Sequence, residues 1–375
     1  MQTLHALETP ALILDADRMQ RNIARLREHL RPLGVSLRAH LKTAKSIEVA
    51  RAMMDSKHGS ATVSTLKEAD EFAAAGVRDM LYAVSITPNK LAHVSRLRQQ
   101  GVDLTVVLDS VEAAQALSDY CIASGEKISV LIEIDSDGHR SGVRPGDALI
   151  VEIAKALQHC ELRGVMTHAG ASYGSFTDEA KVAMAEQERA AAVSSAQMLR
   201  GAGFAAPVVS VGSTPTALYA KSLAGVTEVR AGVYVFFDLV MAGLNVCAVE
   251  DVAISVLATV IGHQREKGWI MVDAGWMAMS RDRGTASQPV DQGYGLVCDA
   301  QGRVIPDLIM SGANQEHGIL SIRAGSSAAL PDLPVGSLVR ILPNHACATA
   351  AQHDAYVVVN AQSDITAHWP RFRGW

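Results

Sequence analysis

Arg38-Ala39-His40-Leu41-Lys42-Thr43 ends a short apolar run and sets one lysine just ahead of a helical stretch. The same order recurs up to about residue 245: a β-branched or apolar run, a loop, an alanine-rich helix, then a glycine or polar break. Runs lie near residues 35–40, 60–64, 79–84, 103–108, 128–135, 163–168, 207–211 and 226–231. The intervening helices carry their own punctuation. Thr65 and Glu68 stand at capping-box spacing with Gly76 at the expected stop, and another helix is expected from Pro88 to Gly101. Strands alternating with helices call for right-handed crossovers and a parallel sheet. Eight such runs predict closure into a (β/α)8 TIM-type barrel, with a doubly wound open sheet as the alternative.

Both flanks of this region read differently. Residues 9–15 form a short strand pattern, and Met19, Ile23, Leu26 and Leu30 mark an amphipathic helix from Asp17 that Pro32 and Gly34 stop. Beyond residue 245 helical periodicity fades. Val252 to Ile261, Trp269 to Val272, Ser337 to Leu342 and Ala355 to Val359 read as strands separated by turns. The expected organisation is a barrel over residues 18–244 and a mainly β domain over 245–375, joined by the N-terminal strand segment 1–17. No low-complexity linker separates the two, so a packed junction is expected.

Composition narrows the function classes. The chain has 375 residues, 49% hydrophobic and 19% charged, enough to bury a sizeable core. A formal charge of -5 with dispersed Lys and Arg offers no basic stripe for nucleic acid and no polybasic membrane anchor, so small molecules are the expected partners. The start, Met1-Gln2-Thr3-Leu4-His5, lacks the charged and apolar regions of a leader, and a cytoplasmic protein is expected. Cys121, Cys160, Cys247, Cys298 and Cys347 are odd in number and form no C-x-x-C, which argues against a disulfide framework.

In a barrel the working face lies at the C-terminal ends of the strands. Lys42 follows the first run there. Val211-Gly212-Ser213-Thr214-Pro215-Thr216 follows the seventh and Arg230-Ala231-Gly232-Val233-Tyr234 the eighth. Each is an ordinary turn taken alone. Together, glycine and hydroxyl residues at the usual barrel phosphate position favour phosphate binding. A lysine opposite a phosphate site points to pyridoxal phosphate, whose aldehyde needs an amine and whose phosphate needs a cradle. Arg140, in the loop after the fifth run, is a candidate partner of the cofactor's phenolate or of a surface carboxylate. His168 and Tyr173, after the sixth run, are candidates for contacts with the cofactor ring or substrate, with a satisfied core histidine as the other reading of His168. Pro343-Asn344-His345-Ala346-Cys347 follows a late β run; if extended, it turns His345 and Cys347 the same way, so both can share one ion. Two ligands leave coordination sites open, and a thiolate favours zinc over manganese or magnesium.

Thr9-Pro10, His40-Leu41-Lys42, Asp137 to Val143, Thr167 to Tyr173, Val211 to Thr216, Arg230 to Asp238, Asp273-Ala274-Gly275, Glu316-His317-Gly318 and His345 to Cys347 together carry a resemblance that spans nearly the whole chain. The chain resembles the fold-type III pyridoxal phosphate enzymes, in the D-serine dehydratase and D-threonine aldolase branch of the alanine racemase-like superfamily. Within that branch it is most similar to the bacterial D-threo-3-hydroxyaspartate dehydratases. The resemblance implies that Lys42 holds the cofactor and acts as base, with His40, Arg140, His168 and Tyr173 around it. It implies that Gly212, Ser213, Thr214, Gly232 and Val233 surround the phosphate, that His345 and Cys347 bind a metal, and that a homodimer forms with His317 reaching the site from the β domain.

Two departures choose between the branch's activities. Its aldolases resemble one another in a His-x-Asp metal pair, whereas this chain has His345-x-Cys347. They also place a histidine where this chain has Gly174, preceded by Tyr173 as in the dehydratases. The expectation is therefore dehydration of a D-3-hydroxy amino acid, D-threo-3-hydroxyaspartate to oxaloacetate and ammonia or D-serine to pyruvate and ammonia, ahead of an aldolase giving glycine and an aldehyde. A cofactor carrier would have little use for a metal pair, and a metal-dependent barrel hydrolase would need ligands at several strand ends. Arg281 and Arg283 are candidates for a second substrate carboxylate, or belong to a solvated turn.

Overall fold

A computed structural model describes residues 3–375; Met1 and Gln2, which begin the expected N-terminal segment, lie outside the described residues. The chain forms two compact units, one of Arg25–Gly232 with Gly374–Trp375, the other of the residues up to Ala24 with Val233–Arg373. Sequence placed the junctions at 17/18 and 244/245. The cuts at 24/25 and 232/233 have a local cause: residues after Gly232 bond into the β unit, through Ala253 N–H to Phe236 O at 2.7 Å and Val240 N–H to Asn344 O at 3.1 Å.

The first strand, β1 (Ala11–Asp15), belongs to the β unit. The other unit holds β2 (Ser36–His40), β3 (Ala61–Val63), β4 (Asp79–Ser85), β5 (Asp103–Leu108), β6 (Ser129–Ile134), β7 (Glu161–Thr167), β8 (Val208–Val211) and β9 (Glu228–Ala231). All neighbours are parallel, and β9 pairs with β2 to close an eight-stranded barrel. Each strand falls on one of the expected runs, and the open-sheet alternative is excluded by the β2–β9 pairing. Leu81, Val107, Leu131 and Met166, from four consecutive strands, form one buried cluster. Thr65 caps its helix by accepting the Glu68 N–H at 3.0 Å, but the Glu68 carboxylate returns to Ser64 N–H at 2.9 Å, so the reciprocal half of the box is displaced by one residue. Gly76 ends that helix with φ +96°, a conformation that disfavours a side chain.

The β unit continues with β10 (Ile254–Gln264), β11 (Trp269–Val272), β12 (Gly295–Asp299), β13 (Val304–Ala313), β14 (Gly318–Ile322), β15 (Leu338–Pro343), β16 (Ala355–Val359) and β17 (Ile365–Pro370). The sheet runs β11-β14-β13-β12-β15-β10-β1-β16-β17, and an added β10–β11 pairing closes its first six strands into an antiparallel ring. Ile13 of β1 buries with Leu4, Leu257, Val357 and Val359, which ties the N-terminus into this unit. Strands β12, β13, β14 and β17 were not read from sequence. In β13 Pro306 and Asp307 interrupt the run and a register shift follows at Met310/Gly312, features that argue against a strand in one dimension. Among the described residues no helix is long and apolar enough to cross a membrane.

Candidate active site

At the end of β2 the chain turns at once: Leu41 N–H bonds to Thr62 O at 2.9 Å and Lys45 N–H closes on Leu41 O at 3.0 Å. This turn leaves Lys42 exposed, whereas Lys45 is engaged by the buried Glu68 carboxylate at 3.3 Å. Lys42, His40, His168, Arg140 and Arg230 lie within electrostatic reach of one another. Burial, then the Lys42, Arg230 and Arg140 charges, hold the His40 pKa well below its ordinary value. Burial and Arg140 draw His168 down to about 3 against the help of a backbone bond. That bond joins His168 Nδ1 to Gly212 O at 3.0 Å; since a carbonyl only accepts, Nδ1 carries the proton and Nε2 keeps its lone pair. The Tyr173 ring stands 6.2 Å from the His168 ring.

The loops after β8 and β9 are shaped by their own hydrogen bonds. Ser213 caps helix Thr214–Tyr219 in a reciprocal box with Thr216 and meets Ser172 Oγ at 2.8 Å. Gly212 has φ +137°, and a Cβ there would overlap the Arg230 carbonyl. Gly232 packs so closely that a Cβ would stand 2.9 Å from His40 O. Val233, next in the chain, is buried, as is Thr214. A residue that sequence reasoning missed organises this region. Glu188, 1% exposed, accepts from Ala169 N–H at 3.0 Å, Gly212 N–H at 2.9 Å and Thr216 Oγ1 at 2.7 Å. It binds the His168 loop to the Gly212 loop, and burial raises its pKa. The N–H groups of Gly212 and Ser213 thus point into the protein, so both residues build the turn. The signal was there in principle: Glu188 sits on the helical stripe of Ala185, Ala191, Ala192 and Ser195, a charge on a buried face.

These residues fit pyridoxal phosphate. An exposed lysine, Arg140 and a neutral imidazole converge, and the buried hydroxyls of Thr62 and Thr167 have no hydrogen-bond partner among the described residues. Thr62 pairs in register with His40, and Thr167 precedes His168. Unpartnered buried hydroxyls call for a polar ligand.

In the β unit, His345 and Cys347 lie side by side, but the segment is not extended as expected. β15 stops at Pro343, His345 has φ −134° and ψ 109°, and Cys347 belongs to helix Ala346–Ala350. The reason is Asp238, whose buried carboxylate accepts Ala346 N–H at 2.9 Å and Met241 N–H at 3.0 Å and so caps the turn that brings the sulfur round to the ring. Asp282 Oδ2 stands 2.7 Å from His345 Nδ1. Burial lowers the His345 pKa, but the Asp282 bond and the Cys347 sulfur outweigh it and push the pKa up to about 11; Asp282 is held below the usual carboxylate range by the same contact. A carboxylate on Nδ1 leaves Nε2 for a cation, and nitrogen beside thiolate suits a borderline-soft ion. Asn344 fixes the base of the site, donating to Gly293 O at 2.6 Å and accepting from Thr285 Oγ1 at 2.8 Å. Among the described residues no cluster of three or more His, Cys, Asp and Glu side chains could hold a metal.

The flanking arginines separate. Arg283 is taken by Asp291 at 2.7 Å and lies over the Tyr294 ring, while Arg281 is exposed and stacks on Trp276. His317 is exposed on the β13–β14 hairpin, where Asn314 N–H bonds to its carbonyl at 2.8 Å. Distant motifs also meet: Thr9 donates to Asp273 Oδ2 at 2.5 Å, and Val272 pairs with Gly318.

Residues 14–240 match the alanine racemase N-terminal domain, and residues 253–359 match a serine dehydratase domain. The chain belongs to the fold-type III pyridoxal phosphate family. It is 56% identical to the D-threo-3-hydroxyaspartate dehydratase of Delftia sp. strain HT23 over 100% of this chain and 99% of that one. The structure of that enzyme superposes with a TM-score of 0.96. A histidine-to-alanine variant of it has been solved, and a cysteine-to-alanine variant, two residues further along that chain, has been solved in a metal-free form. The Dictyostelium discoideum D-serine dehydratase is 29% identical over 99% of this chain and 98% of that one. A D-threonine aldolase structure from Filomicrobium marinum is 26% identical with a TM-score of 0.80, covering 99% of this chain and 97% of that one.

Proposed function

We propose that this chain is a pyridoxal phosphate- and divalent metal-dependent dehydratase of D-3-hydroxy amino acids, with D-threo-3-hydroxyaspartate its principal substrate and oxaloacetate and ammonia its products. D-Serine, giving pyruvate and ammonia, is the smaller substrate. The observation that carries the reading is the His345–Cys347 pair with Asp282 on the imidazole, a donor set that would hold a Lewis acid for a departing hydroxyl. The full-length likeness to the Delftia enzyme supports the substrate.

Lys42, Arg140, His40, His168 and Tyr173 would hold the cofactor, with the Gly212–Thr214 turn, Gly232 and Val233 about its phosphate. His345 and Cys347 would hold the metal, zinc by thiolate softness ahead of manganese or magnesium. Bound there, the cofactor supplies an electron sink for charge at the substrate α-carbon, and the metal supplies a Lewis acid for the β-oxygen. The chain's own residues do the rest. Lys42 Nζ, exposed at the end of β2, takes the α-proton. His168, neutral with Nδ1–H committed to Gly212 O, offers Nε2 as an acceptor and adds no positive charge to the site. Glu188 keeps the two loops in register. Asp282 fixes the His345 ring, and Arg281, whose partner is the Trp276 ring, is the cation placed next to Asp282 for a second substrate carboxylate. Gly174 ends the turn Gly170–Gly174 without the imidazole that the branch's aldolases use as base, which favours dehydration.

His317 on its exposed hairpin and the family resemblance support a homodimer in which the β unit completes a neighbour's site. Five free cysteines suit a reducing cytoplasm. The test is Cys347→Ala: the variant should keep the cofactor's visible absorbance and lose metal and dehydration together. Full activity of that variant in chelator would overturn the metal assignment.

A further inference from the structure

Cys121 and Cys160 are 39 residues apart in sequence, yet their Sγ atoms stand 3.7 Å apart. The approach is built by the backbone. Ser118, one helical turn before Cys121 on helix Val111–Ser124, donates to Ala156 O at 2.7 Å and accepts from Gln158 N–H at 2.9 Å, pinning the loop that carries Cys160. Ser118 Oγ also stands 3.7 Å from Cys160 Sγ. His159 takes φ +58°, a left-handed turn uncommon outside glycine, and this swings Cys160 back toward the helix. Cys121 is buried, whereas Cys160 is half-buried and within reach of a small reagent. The loop leads into the N-terminal end of β7, and His168 lies past that strand's other end.

From this geometry we infer that Cys121 and Cys160 are an oxidisable dithiol that closes to an intramolecular disulfide on exposure to a small disulfide such as oxidised glutathione. The inference is independent of the proposed reaction. Cys160 sulfur, after losing its proton to solvent, attacks one sulfur of oxidised glutathione, breaking that S–S bond and releasing one glutathione thiolate. Cys121 then loses its proton and attacks the Cys160 sulfur of the mixed disulfide, forming the protein disulfide and releasing the second glutathione. Two protein thiols are oxidised and one glutathione disulfide is reduced to two thiols. The S–H bond to Cys121 and burial raise the Cys160 pKa, so access and not acidity makes Cys160 the first to react; once it is derivatised and that S–H is gone, the Ile128 N–H and Arg98 remain to offset the burial of Cys121 in the second step.

The experiment uses the full-length, cofactor-loaded protein treated with oxidised glutathione, then alkylated, denatured with chelator present, and digested with trypsin without reductant. The expected product is peptide 99–127, which holds Cys121, joined to peptide 156–163, which holds Cys160. Titratable thiols should fall from five to three. Cys121→Ser should instead retain glutathione on Cys160. A wild-type protein that keeps five thiols, or that ends with glutathione on Cys160 and no joined peptides, overturns the inference.

Discussion

Replacing Asp282 with asparagine tests the proposal that this residue orients His345 beside Cys347 as a ligand pair. Asp282 Oδ2 lies 2.7 Å from His345 Nδ1, a hydrogen bond to an ionised partner and worth about 1.5–3 kcal/mol in a protected setting. The two side chains are 35% and 43% exposed, so solvent screening takes part of that, and about 1–1.5 kcal/mol remains. An asparagine keeps the shape but presents either a neutral oxygen or an amide donor to Nδ1, freeing the ring to rotate and to expose the wrong nitrogen. The Asp282 backbone carbonyl still accepts from Asn344 Nδ2 at 3.3 Å, so the turn itself should survive. Metal affinity should therefore fall about tenfold. The assay is competition against a chromogenic chelator on cofactor-loaded protein, with the visible spectrum as the check that the barrel site is intact. Unchanged metal affinity with an unchanged spectrum would refute the role given to Asp282, and with it the claim that His345 coordinates through Nε2.

Three further predictions follow from neighbouring contacts. Glu188→Gln keeps one oxygen for the Ala169 and Gly212 N–H groups but loses the charge and faces Thr216 with a donor, so cofactor affinity should drop about tenfold while the fold persists; equal affinity by fluorescence titration would remove Glu188 from the site. Lys42→Ala should abolish the visible absorbance of the bound cofactor, and an unchanged spectrum would exclude it as the anchor. His168 is held neutral with its pKa lowered to about 3, so the unfolded chain binds a proton that the native one does not as pH falls from about 6.5 toward 3; native stability should drop through that window by about 1.4 kcal/mol per pH unit from this group. His168→Gln retains a donor for Gly212 O and should flatten that slope in urea melts, whereas parallel slopes would show that His168 titrates normally.

The barrel was legible because its signal is local: each run is followed by a loop and a helical segment, and β2 through β9 fell where the runs lay. The β unit was less so. Its strands are paired across long separations, and β13 carries a proline and a bulge that read as a turn. Site residues divide in the same way. Lys42 and the Gly212 loop follow strand ends and were visible from position alone. Asp282 meets His345 63 residues away, a separation that no local pattern around Arg281-Asp282-Arg283 reveals. Glu188 reaches Gly212 across 24 residues from the middle of a helix, where only the misplaced charge on an alanine stripe marks it. The turn at Cys347 depends on Asp238, more than a hundred residues upstream, which no local reading of Asn344-His345-Ala346-Cys347 could supply.

The most direct test of the whole account is product analysis. Zinc- and pyridoxal phosphate-loaded protein would be given D-threo-3-hydroxyaspartate, D-serine and D-threonine, with the L forms as controls. The account predicts oxaloacetate and ammonia from the first, less pyruvate and ammonia from the second, and no turnover of the L forms. Glycine with an aldehyde would contradict it, and would mean that Cys347 and Gly174 do not set the reaction.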